Sequence, residues 1–98
     1  MYIIRFSKQA DKDKKLIKGA GLDGKAKVLL NIIADNPFQN PPPYEGLVGN
    51  LSGYYSRRIN LQHRLVYQVY NESVVVDGKE YDGTIKVVRM WSHYDEVR

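Results

Sequence analysis

Cysteine is absent from this 98-residue chain, which removes disulfide staples and thiolate catalysis together and fits a reducing compartment. Histidine is scarce: only His63 and His93 occur, and neither has a carboxylate at ligand spacing, so no metal motif is present. Gly19, Gly21 and Gly24 do not follow a strand as a phosphate-cradling loop would, and no serine sits in a nucleophile elbow. No apolar run approaches the length of a membrane span, and MYIIRFSK is too short for a secretory apolar region. The expectation is a cytoplasmic protein that uses no metal or cofactor and does not engage a membrane.

The residues that are present suit one compact domain over 1–98, because 43% apolar composition can fill a modest core at this length. A net charge of +4 favours an anionic partner over a cationic one. Eight tyrosines, two phenylalanines and one tryptophan, mixed with cations, suit single-stranded nucleic acid, where bases stack and phosphates pair with charge. Half-buried sheet positions would account for most of those tyrosines equally well.

Along the chain, Tyr2 to Ser7 alternates as a short strand, and Ser7 can cap a helix from Lys8 to about Ala20. Lys12, Lys14, Lys15 and Lys18 make its outer face a solvated lysine run. Asp23 is expected to cap a second helix to about Asp35, with Ala26, Leu29, Leu30 and Ile33 recurring at helical spacing and Val28 and Ile32 widening the stripe. Two helices joined by a glycine turn would cover one face of a sheet. Pro41, Pro42 and Pro43 predict a stiff, extended surface segment leading to Tyr44 and Glu45.

Leu51 to Tyr70 reads as two strands with a tight turn near Asn60. His63, Leu65, Tyr67 and Val69 suit the core side, which leaves Arg64 on the opposite one. Arg57 and Arg58 alternate, so Arg57 is expected to point away from Arg58 and to pair with a carboxylate or an rRNA phosphate. His63, facing inward, is expected to be a satisfied structural histidine. A long hairpin should follow, with a protruding loop at 77–83 and a last strand from Thr84 to about His93; a break at Asn71-Glu72 is an alternative. The order of strand, two helices and antiparallel meander is α+β.

The chemistry that remains is an acid, a base and a cation: Glu45, His93 and Arg64. RNA cleavage needs one group to take the 2′-hydroxyl proton and another to protonate the departing 5′-oxygen. It also needs positive charge beside the five-coordinate phosphorus. The trio alone does not decide for an enzyme, since a carboxylate before a glycine and a histidine near a C-terminus are common surface residues.

Asn36-Pro37-Phe38, Glu45-Gly46-Leu47, Asn50-Leu51-Ser52-Gly53, Ser56-Arg57-Arg58-Ile59-Asn60, His63-Arg64-Leu65-Val66-Tyr67 and Trp91-Ser92-His93-Tyr94 occur in an order that resembles the YoeB/Txe family of bacterial toxins, within the wider RelE/ParE fold. The resemblance implies a ribosome-dependent endoribonuclease that cuts messenger RNA in the decoding site. It implies a cognate antitoxin of the YefM/Axe kind as partner, with homodimers also compatible. Carried over by motif, Glu45 is the general base, Arg64 the phosphate-binding cation, His93 the general acid and Tyr94 the C-terminal aromatic of the site. Arg58, Arg57 and Trp91 are the further RNA-binding candidates.

The lysine face of the first helix would attract an acidic antitoxin tail. Two departures stand out: Val48 lies where relatives often carry lysine, and Asp95 to Arg98 extend beyond the tyrosine where relatives end. The competing reading is a non-catalytic inhibitor on the same fold, either a gyrase poison or a ribosome-binding module.

Overall fold

Ser7 ends the first strand and starts the first helix: its backbone is extended, and its Oγ accepts a hydrogen bond from the Ala10 N–H at 3.0 Å. In the computed structural model, which describes residues 1–91, β1 (Tyr2–Phe6) leads into α1 (Lys8–Gly19) and α2 (Asp23–Asp35). The helix turn is closed by Gly21 at φ 72°, with Leu22 N–H bonding to Ile17 C=O and Gly21 N–H to Lys18 C=O. That pairing satisfies the last carbonyls of α1 and needs the left-handed backbone that glycine allows. Asp23 does not cap α2 as expected. Leu22 occupies the cap without a side-chain bond, and Asp23 is the first helical residue, where its charge still favours the positive helix end.

The strands that follow are β2 (Glu45–Gly46), β3 (Tyr54–Arg58), β4 (Arg64–Tyr70), β5 (Val74–Val76), β6 (Lys79–Tyr81) and β7 (Gly83–Arg89). Four of them join β1 in a five-stranded sheet in the order β1-β7-β4-β3-β2. The later strands pair antiparallel, whereas β1 lies parallel to β7, so the helical hairpin is the excursion between one sheet edge and the other. Ala10, Ile17, Ala26, Leu29 and Ile33 from the helices pack with Ile59, Leu65, Tyr67, Ile85, Val87 and Met90 in one core. Val28 is exposed, so the apolar stripe of α2 is narrower than the sequence suggests.

The long hairpin is broken where Asn71-Glu72 allowed. Residues 74–81 leave the main sheet as a separate two-stranded ribbon, β5 with β6. Its tip is only Asp77-Gly78, both at positive φ, the mirror-image turn that suits the strand twist; the loop expected over 77–83 is therefore mostly strand. The last strand also ends earlier than expected, at Arg89, after the β4–β7 register slips past Val88. Met90 is buried and Trp91 half-buried beyond it.

Gly83 opens β7 in a place with no room for a side chain. A Cβ there would lie 2.1 Å from the Tyr70 carbonyl oxygen and 2.9 Å from a Tyr2 ring carbon. Backbone cannot yield that far, so Gly83→Ala is expected to cost about 1–3 kcal/mol. Thermal melts should then fall by roughly 4–8 °C per kcal/mol, and an unchanged midpoint would contradict the contact.

Asp13, unremarked in the sequence reading, pins α1 to the end of β7. It is fully buried and accepts from Arg89 Nε at 3.0 Å, the Met90 N–H at 2.9 Å and Gln9 Nε2 at 3.1 Å. Its spacing from Ala10 and Ile17 placed it on the buried helix face, which was the available signal.

Candidate active site

Strand register decides which side chains meet. Glu45 on β2 stands opposite Ser56 on β3, and Ser56 opposite Val66 on β4. Two residues along, Arg58 stands opposite Arg64. By the two-residue alternation of strands, Ser56 and Arg58 share one face with Arg64 and Val66, and Tyr55, Arg57, Leu65 and Tyr67 share the other, which packs on the helices. Val66 is buried as well, so β4 is covered on both faces, more fully than the half-buried strand the alternation suggested.

A cleft of about 340 Å³ opens on the face away from the helices, lined by Pro43, Tyr44, Glu45, Ser56, Arg58 and Arg64. Arg64 Nη1 lies 3.9 Å from Glu45 Oε2 and donates to Ser56 Oγ at 3.1 Å. Ser56 is buried, and the Arg64 side chain is only 18% exposed, whereas that of Glu45 is 51% exposed. The cation is thus held on rigid strand by a buried hydroxyl while the carboxylate stays open to solvent and to a ligand. An ion pair this long and this wet contributes little stability. Two arginines directly opposite on neighbouring strands repel each other, an arrangement that an anion between them would relieve.

Arg57 requires a correction. It does point away from Arg58, but among the described residues it pairs with no carboxylate, and its burial keeps it from solvent and so from an RNA phosphate. It is fully buried, with Nε donating to Tyr67 Oη at 3.0 Å and its terminal nitrogens to the carbonyls of Pro42 at 2.6 Å, Pro37 at 3.1 Å and Gln39 at 2.8 Å. The proline segment is consequently not an extended run. Its Pro42 carbonyl, with those of Pro37 and Gln39 just before it, turns onto one guanidinium, which satisfies them at buried and part-buried positions. Tyr67 Oη closes the group by donating to Pro37 C=O at 2.8 Å, and burial pushes that hydroxyl above the ordinary tyrosine pKa, so it keeps its proton. Tyr55 meets Phe38 and Tyr44 edge-to-face beside it, and those two rings lie tilted against each other.

His63 faces inward and is 7% exposed, as its strand position implied, but it is not satisfied. Among the described residues its Nδ1 has no hydrogen-bond partner, and its ring stacks on Trp91 with centroids 4.0 Å apart. Trp91 also packs against the core, so much of its ring is committed to the protein itself. The turn that positions Arg64 is built by Asn60, whose Oδ1 accepts from the N–H groups of Gln62 and His63 at 2.9 and 2.7 Å. His93 and Tyr94 lie outside the described residues. Ser56 is the site residue that sequence reasoning missed, although its two-residue spacing from Arg58 was visible. Among the described residues no group of three or more potential ligands could hold a metal ion, and no helix is long and apolar enough to cross a membrane.

A family model described as the YoeB-like toxin of bacterial type II toxin–antitoxin systems matches residues 6–94. The chain belongs to the YoeB family of toxins. It is 44% identical over 64 residues to the toxin YoeB of Synechocystis, covering 65% of this chain and 67% of that one. It also superimposes on YoeB of Staphylococcus aureus, solved as a YoeB–YefM complex, with a TM-score of 0.69 and 36% identity over 96% of this chain and 99% of the other. A dimer of the same staphylococcal YoeB gives a TM-score of 0.70 at 36% identity, covering 95% and 98%. The α+β architecture of this YoeB-family toxin is therefore that of its relatives, and the mixed sheet with its helical hairpin is common to them.

Proposed function

We propose that this toxin is a ribosome-dependent endoribonuclease that cleaves messenger RNA through 2′-hydroxyl attack. The observation that carries the reading is a strand-held guanidinium and an open carboxylate sharing one cleft, Arg64 and Glu45, 3.9 Å apart. Glu45 takes the proton from the 2′-hydroxyl, whose oxygen attacks the adjacent phosphorus. Arg64, with Arg58 opposite it, neutralises the charge that builds on the non-bridging oxygens. His93 protonates the departing 5′-oxygen, and the products are a 2′,3′-cyclic phosphate and a free 5′-hydroxyl. Tyr94 is carried over as the aromatic residue of the same site. His93 and Tyr94 enter by motif, two and three residues after Trp91.

The cognate antitoxin is proposed as partner because the staphylococcal relative was solved with YefM. The lysines of α1 offer its acidic residues a complementary surface, although Lys14 is already engaged, lying over the Phe6 ring and paired with Asp11 at 3.1 Å.

Purified ribosomes, a defined message and primer extension test the reading. The parent should create new 5′ ends within the ribosome-bound codon. Glu45→Gln and Arg64→Ala, both at partly exposed positions, should each slow their appearance by about 10²-fold or more with the fold intact. Translation arrest without new ends would instead assign the non-catalytic, ribosome-binding reading. DNA damage with intact messages would assign gyrase poisoning.

A further inference from the structure

The candidate cleft does not end at Arg58. On the far side of that residue two further cavities, of about 580 and 480 Å³, share Lys25, Pro42, Arg58 and Ile59 and run between α2 and the β3–β4 turn. Arg58 lines all three spaces, so the cleft and the groove are continuous across one exposed guanidinium. We propose that this groove receives the RNA strand where it leaves the cleavage cleft, an extension that rests on the ribonuclease reading above.

Three observations support a nucleic acid as the occupant. Among the described residues the groove is lined by two cations, Lys25 and Arg58, and by no carboxylate, and neither cation belongs to an ion pair. Lys25 stands in the first turn of α2, where the helix dipole favours acidic side chains and a lysine is locally unfavourable. A polyanionic strand beside it reverses that sign. The rest of the lining is mostly apolar, and part of it faces solvent: Leu61 at the turn is 86% exposed and Val28 is 59% exposed, while Ile59 and Leu29 form a buried floor and Asn60 adds one polar side chain. Cations spaced along a groove with apolar surface beside them match a single strand, whose phosphates need charge and whose bases need cover from water.

The test uses oligoribonucleotides carrying a 2′-deoxy residue at the scissile position, so that binding is read without cleavage. A trinucleotide spanning the scissile phosphate is compared by fluorescence anisotropy with versions extended on the 5′ or the 3′ side. Extension on one side should strengthen binding to the parent by about tenfold or more. Lys25→Glu and Leu61→Asp, both solvent-facing changes, should each remove most of that gain and leave trinucleotide affinity as in the parent. Lys25→Glu should also lower the slope of log affinity against log salt by about 0.7, the loss of one phosphate contact.

The proposal is overturned if extension adds nothing on either side, if the variants keep the gain, or if trinucleotide and extended strands weaken equally. It is also overturned if Leu61→Asp converts a dimer to a monomer in light scattering while oligonucleotide binding is unchanged. The groove then belongs to a second copy of the chain. Failure of the underlying reading looks different: trinucleotide affinity would be indifferent to Arg64→Ala.

Discussion

Arg57→Ala is expected to destabilise the fold by about 3–5 kcal/mol, a large share of the 5–15 kcal/mol typical of a domain. The guanidinium is fully buried and bonds four acceptors, of which, among the described residues, Pro37 C=O alone keeps another donor, Tyr67 Oη. Gln39 and Pro42 lose the side-chain donor that their part-buried carbonyls have in the parent, at about 0.5–1.5 kcal/mol each, and a cavity remains where the side chain lay. Lysine is no substitute, because a single ammonium cannot present the planar fork that reaches carbonyls on different sides.

The consequence reaches the candidate site. Pro42 is followed by Pro43, Tyr44 and Glu45, so releasing it removes the anchor that aims the carboxylate. The Arg57 bond and charge also hold down the Tyr67 pKa that burial raises, so the variant keeps Tyr67 protonated to still higher pH. Urea unfolding of Arg57→Ala and Arg57→Lys checks the expectation. A midpoint within about 1 kcal/mol of the parent would show that the carbonyls do not depend on the guanidinium.

Removing Asp13 should cost a comparable amount. Asp13→Ala deletes a carboxylate that serves Arg89, the Met90 N–H and Gln9 at once, in a position without solvent access. Breaking one side of a buried ion pair typically costs about 3–5 kcal/mol. Asp13→Asn keeps one oxygen to accept from the Met90 N–H and gives up the charge and the second acceptor, so it should fall between Ala and the parent. Hydrogen exchange at Met90 localises the effect: its amide should lose protection in Asp13→Ala and keep much of it in Asp13→Asn. Equal protection in all three proteins would mean that the carboxylate does not hold the end of β7.

Much of the candidate site was legible because strand alternation is a local property. Spacing along Leu51 to Tyr70 separated Arg57 from Arg58 and put Arg64 opposite Leu65 and Tyr67, and the register bears this out. The Ser7 cap and the Asn60 turn were equally readable, since each is a side chain bonding to backbone two or three residues away. Arg57 was misread for the converse reason. Its partners lie between 10 and 20 residues away, and nothing in a proline run announces that its carbonyls will converge on a cation. The ribbon at 74–81 was missed because the apolar run of Val74 to Val76 fits a continuation of β4 as well as a new strand.

From its sequence alone this toxin's two helices, its first and central strands, its α+β class and the face on which Arg58 and Arg64 lie were determined, because periodicity and capping act over a few residues. Tertiary structure decided the rest: the parallel pairing of β1 with β7, the buried Arg57 and Asp13 anchors, and the approach of Glu45 to Arg64. Each of those depends on closing a long stretch of chain, whose cost is met only when many distant contacts form together.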